Sequence, residues 1–193
     1  VYDDVNALFN GSEQQADAMA AVADTLRQMR VLAGKLRARR QAQGCIDFEI
    51  EEPGFVLDEN GEPVEIITRE RGEAEMMIED FMLAANECVA RFARENRLPL
   101  LYRVHEKPET EKLAMFADFL DGIGVNAKGI RHDAAPGDIR AILEKTKERP
   151  EYSVITALAL RSMQKARYDV APLGHYGLAM ADYCHFTSPI RRY

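Results

Sequence analysis

Cysteine is scarce in this 193-residue sequence, and the three present, Cys45, Cys88 and Cys184, are far apart and odd in number. No CxxC pair occurs and no His/Cys cluster has zinc spacing, which excludes a disulfide framework and points to buried thiols in a reducing compartment. No apolar run reaches about 18 residues, so no membrane span is expected. The opening VYDDVNALF has neither the basic region nor the apolar stretch of a signal peptide. The expected location is the cytoplasm. A glycine-rich phosphate loop is missing, as is a nucleophile with a convincing base partner. Acidic residues are plentiful, yet no aspartates cluster at metal-bridging spacing, and Asp3-Asp4 is the only adjacent pair. No metal ligand is therefore assigned within the sequence. Internal repeats and low-complexity segments are also absent.

What is present fits a globular protein with a real core. Hydrophobic residues make up 47% of the chain, a normal fraction. The formal net charge of −7 argues against nucleic-acid binding by bulk charge, so an anionic partner would need a local basic cleft. Charge is unevenly spread. Residues 27–40 carry six Lys/Arg and no Asp/Glu.

Periodicity predicts a short helix over residues 1–10, closed by Asn10-Gly11, and a long one from Ser12 to about Arg40. Ser12 and Gln15 resemble a capping box. Val22, Leu26, Met29, Leu32 and Leu36 form the apolar stripe of the long helix. Alternation over residues 45–50 predicts a half-buried strand. Residues 55–57 and 64–67 flank DENGEP, a hairpin signal centred on Asn60-Gly61. A second long helix is expected over residues 73–96, a strand over 100–104, and helices over 109–122, 137–148 and 151–168. Residues 175–180 and 183–186 read as short strands before a terminal helix. The fold class is α+β, with long helices packed on a small, mostly antiparallel sheet.

Several constellations admit two readings. Glu79 and Asn86 lie two turns apart on one helix face. They either line a cleft, or Glu79 belongs with Asp80 to a solvated face while Asn86 ties down a neighbouring backbone. Arg103, His105 and Glu106 end an apolar strand, where ligand contacts are common, although a structural histidine accounts for YRVHE equally. GHYGL (residues 174–178) permits close backbone approach at a site or in a tight turn. Arg161 and Arg167 flank Met163-Gln164-Lys165 as a basic face that meets phosphate or water. In the closing HFTSPIRRY, Thr187-Ser188 is a helix-capping pair, Pro189 suits a first helical position, and Arg191 and Arg192 fall in the first turn. Arginine opposes the helix dipole there. A cap, exposed amides and guanidinium groups together make an anion site; the alternative is an ordinary capped helix with solvated arginines.

Taken in order, MIEDFMLAAN (residues 77–86), LLYRVHEKP (100–108), RSMQKARY (161–168), GHYGLAM and HFTSPIRRY resemble the catalytic RNB domain of the ribonuclease II/ribonuclease R superfamily. HFTSPIRRY is closest in form to the ribonuclease R branch. The opening VYDDVNALFNG is similar to the middle of that domain, and the resemblance runs over essentially the whole chain. It implies that residues 1–193 are the C-terminal portion of an RNB exoribonuclease domain. The metal-binding aspartate cluster would lie upstream and OB-type RNA-binding domains outside.

The implied activity of the parent is processive 3′→5′ hydrolysis of RNA to nucleoside 5′-monophosphates, with Mg²⁺ ions activating water and neutralising the leaving oxygen. Single-stranded RNA is the implied partner; neither DNA nor a membrane is expected. Arg191 matches the family arginine at the scissile phosphate, a catalytic role, and Arg192 is an adjoining phosphate contact. Glu79 matches the glutamate that meets the 3′-terminal nucleotide, and Tyr2 the aromatic residue at that ribose. His105, His175 and His185 keep a structural account. The segment alone is expected to be inactive and to leave apolar surface exposed. The competing implication is a catalytically dead RNB homologue acting as an RNA-binding or scaffold module.

Overall fold

A computed structural model of the protein describes residues 1–48, 52–69 and 71–189. These residues fall into two compact units, Val1–Lys35 with Phe48–Phe81, and Leu36–Asp47 with Met82–Tyr193. The class is α+β: seven α-helices and two two-stranded antiparallel sheets among the described residues.

In the first unit, α1 (Tyr2–Phe9) buries Val5 and Leu8, one turn-spaced face of an amphipathic segment. Asp3 and Asp4 in its first turn suit the helix dipole. The expected long second helix is broken. Helix α2 (Glu13–Ala18) ends at Met19, and α3 (Ala23–Ala42) starts after a turn. Half of the expected capping box forms, with Ser12 Oγ accepting from Gln15 N–H at 3.4 Å, but the Gln15 amide turns to Asp4 instead. Helix α3 buries Ala23 and Ala33, while Val22 and Leu32 of the predicted stripe stay about half exposed.

The hairpin β1 (Glu52–Leu57) and β2 (Pro63–Arg69) forms as expected, with Phe55 opposite Ile66. Its turn is longer than Asn60-Gly61 alone suggests. Asp58 organises it by accepting main-chain N–H bonds from Asn60 and Glu62 at 2.8 and 2.9 Å, which lowers its carboxyl pKa. Gly61 takes the left-handed conformation. The predicted strand over 45–50 is not formed at residues 45–48, and its remainder lies outside the described residues. Helix α4 (Glu73–Glu95) starts in this unit. Its end is capped from a distance: Asn6 Oδ1 accepts from Ala74 N–H at 2.8 Å, and Asn6 Nδ2 donates to Glu75 at 2.9 Å.

In the second unit, β3 (Tyr102–Val104) pairs antiparallel with β4 (Arg167–Asp169). Tyr102, Val104, Ala90 of α4 and Cys184 form a dry cluster; the small Ala90 lets the strand lie close to the helix. Helices α5 (Thr110–Gly122), α6 (Pro136–Thr146) and α7 (Tyr152–Ser162) pack together through Leu113, Leu120, Ile139 and Ile155, all essentially fully buried. Asp138 accepts from Ala135 N–H at 2.8 Å and, with Pro136, starts α6. The helix expected to run to residue 168 stops at Ser162, and Arg167–Asp169 is strand instead. Residues 175–180 are not a strand but a tight loop around a 3-10 turn at Tyr176–Leu178. Residues 183–186 carry no regular strand either.

Candidate functional site

The groups singled out by sequence divide between the two units. Tyr2 and Glu79 belong to the first, on α1 and α4. Tyr2 is about half exposed and stands one turn before Asn6; Glu79 stands one turn after Glu75. The Asn6 bonds to Ala74 and Glu75 therefore dock the helix that carries Tyr2 onto the one that carries Glu79. Gly72 makes room for this junction, since a Cβ there would collide with the Asn6 amide.

The Glu79 carboxylate is half exposed and accepts from Arg71 Nη1 at 2.8 Å. An exposed pair of this kind adds little stability, but it fixes the carboxylate where it can still take a hydroxyl donor. Asp80, grouped with it in one sequence reading as solvated, is 1% exposed and belongs to the buried set. Asn6 and Arg71 are additions from the structure. No local pattern marks Asn6, because its partners are 68 and 69 residues away. Arg71 lies eight residues before Glu79, beyond one helical turn, so spacing does not pair them.

Arg191 and Arg192 lie outside the described residues, as does the course of the terminal helix beyond Pro189. The chain leading to them is described and strongly held. Arg94 Nε donates to Asp182 at 2.7 Å, a contact that raises the arginine's pKa, and the Asp182 side chain is almost fully buried. Arg103 N–H donates to the Tyr183 carbonyl at 2.9 Å. The Cys184 thiol donates to the Asn86 carbonyl at 3.3 Å, and burial pushes its pKa up. Tyr168 hydroxyl and His185 Nδ1 are 2.7 Å apart. Asn86 Oδ1 accepts from the Thr187 N–H and hydroxyl at 2.9 and 3.1 Å. Of the two readings of Asn86, tying down a neighbouring backbone is what the geometry provides.

The other constellations are structural. The Arg103 guanidinium lies over the Tyr168 ring, 4.9 Å from its centroid, across the β3–β4 pair. Glu106 accepts from Arg167 at 2.8 Å, and Arg167 also pairs with Asp169. The Met163-Gln164-Lys165 stretch follows α7 rather than riding on it, so the supposed basic helix face does not form. His105 Nδ1 accepts from Gly177 N–H at 3.2 Å and His175 Nδ1 from Leu178 N–H at 3.3 Å. These bonds require neutral rings. Burial lowers the His105 pKa, and burial with the neighbouring His105 and Arg103 takes His175 down to about 3. The two glycines of GHYGL serve this loop: Gly174 has a positive φ, and a Cβ on Gly177 would press on the His105 ring. Among the described residues, no group of three or more His, Cys, Asp or Glu is placed to hold a metal ion. Nor is any helix among them long and apolar enough to cross a membrane.

Helices with one small antiparallel sheet in each unit place the protein in the α+β class. The chain belongs to the RNB domain family, whose pattern matches residues 1–193. It is 42% identical over 192 residues to Ribonuclease R 1 of Lactococcus lactis, covering 100% of this chain and 24% of that protein. Ribonuclease R of Thermotoga maritima is 45% identical over 163 residues, 84% of this chain and 23% of that protein. The solved structure of Mycoplasma genitalium RNase R in complex with ribose-methylated single-stranded RNA superimposes with a TM-score of 0.86 at 32% identity. That match covers 98% of this chain and 29% of the other. The chain thus spans about a quarter of the length of the curated relatives it matches.

Proposed function

We propose that this chain is the C-terminal portion of the RNB domain of a processive 3′→5′ exoribonuclease that hydrolyses RNA to nucleoside 5′-monophosphates. The observation that carries the reading is the family match over residues 1–193, with relatives named ribonuclease R at 34–45% identity. The parent acts in the cytoplasm on single-stranded RNA and not on DNA.

In this reading the Arg191 guanidinium clamps a nonbridging oxygen of the scissile phosphate and favours the charge that develops in the transition state. Arg192 holds an adjoining phosphate. Glu79, oriented by Arg71, accepts from the 2′-hydroxyl of the 3′-terminal ribose, a group that DNA lacks. Tyr2, docked beside that helix through Asn6, supports the same ribose. Mg²⁺ belongs to the parent enzyme, with ligands in the preceding aspartate cluster. The described residues offer no such cluster, and no step is assigned to a metal within this segment.

The test uses the natural full-length protein with Mg²⁺ and 3′-labelled single-stranded RNA. Stepwise release of nucleoside 5′-monophosphates from the 3′ end is expected. RNA binding without release would identify a non-catalytic RNA-binding module instead. Residues 1–193 alone are expected to release nothing; robust release from them would put the metal site inside this segment.

A further inference from the structure

Asn86 is an odd residue for the middle of α4. Asparagine is a mediocre helix former, and a buried amide costs free energy unless every polar atom finds a partner. Here the side chain is 3% exposed, and its partners lie in one stretch of chain. Oδ1 takes both donors of Thr187, Nδ2 donates to the Tyr183 hydroxyl at 3.3 Å, and the Asn86 carbonyl takes the Cys184 thiol. Residues 183–188 form neither helix nor strand, and after the Arg103 N–H bond to the Tyr183 carbonyl no regular ladder carries the chain on to Thr187. Leucine or alanine would serve α4 better as a helix residue. The amide is explained by what it holds.

We propose that Asn86 is a positioning residue: by fixing Thr187 it sets the backbone from which the arginine-bearing SPIRR motif departs. The inference rests on the exonuclease reading above, because the motif is worth aiming only if its arginine meets the scissile phosphate. A fixed Thr187 lowers the cost of bringing the following motif to the phosphate as the transition state forms, the stage at which the arginine contact counts. Its loss therefore appears in turnover rather than in binding, and only while Arg191 is present to be aimed.

The experiment measures single-turnover cleavage and RNA Kd for the full-length protein carrying Asn86→Leu, Thr187→Val or Thr187→Ser, each with and without Arg191→Ala. Thr187 is exposed, so its variants leave the core intact even if Asn86→Leu lowers stability. Asn86→Leu is expected to slow cleavage about tenfold or more, and Thr187→Val by a smaller factor, with Kd nearly unchanged. Thr187→Ser, which keeps both donors, restores the rate. In the Arg191→Ala background the same substitutions have little further effect. Equal fractional losses in both backgrounds, or unchanged rates in the active protein, overturn the positioning role alone. A wild-type protein that releases no mononucleotide overturns the exonuclease reading and this inference with it.

Discussion

Arg71 donates to the Glu79 carboxylate at 2.8 Å, which orients the acidic group proposed to meet the 3′-terminal ribose. Glu79→Ala in the full-length protein is expected to narrow the preference for RNA over a DNA 3′ end by roughly tenfold, the scale of one charged hydrogen bond. Arg71→Ala keeps the acceptor and frees it, and lowers the preference less. The ratio of kcat/KM on two oligomers differing only in the terminal sugar reads both effects. An unaltered ratio in Glu79→Ala removes the proposed role.

The neutral histidine pair makes acid stability a property of the GHYGL loop. His175 titrates near 3 when folded and near 6.5 when unfolded. The unfolded state alone takes up the proton between those values. Stability is full above pH 6.5 and falls as pH drops toward 3, by about 1.4 kcal/mol per unit for this one group. Urea midpoints from pH 7.5 to 5 should decline accordingly, and less steeply in His175→Gln. A wild-type profile no steeper than that of the variant contradicts the assignment.

Gly174 occupies a left-handed conformation, and a Cβ there would lie 3.3 Å from the Met180 carbonyl oxygen. Gly174→Ala is expected to destabilise the protein by about 1–2 kcal/mol. Thermal unfolding measures this, and an unchanged Tm would show that the loop relaxes freely.

Phe55 and Ile66 face each other across the hairpin, 60% and 72% exposed. An open two-stranded ribbon with this much apolar surface invites pairing. Residues 1–193 alone are expected to associate with rising concentration, and Phe55→Lys with Ile66→Glu to shift them toward monomer. Sedimentation velocity distinguishes the two; the same mass distribution for both proteins would exclude the hairpin as the contact.

The parts of the fold that were legible in sequence are those settled locally. Helix α4 announces itself through sustained 3.6-residue periodicity, and the hairpin through its turn residues. The break between α2 and α3 escapes because the periodicity continues across it. Strand β4 escapes because what makes Arg167–Asp169 extended is β3, more than 60 residues away in sequence. Asp80 looks solvated beside Glu79, yet the helix turns it inward to near-complete burial. Glu79 and Tyr2 are proposed for the candidate site through family resemblance alone. Asn6 and Arg71 are not legible in the sequence, since each acts through a partner that only folding brings near.

The central claim is that Arg191 of this segment acts on the scissile phosphate in the transition state, while the groups that activate water lie outside the segment. The most direct test compares wild-type and Arg191→Ala full-length protein for turnover and RNA affinity. The account predicts a fall in turnover of roughly 10²-fold or more with affinity little changed. Unchanged turnover, or a large loss of affinity at normal turnover, would contradict it.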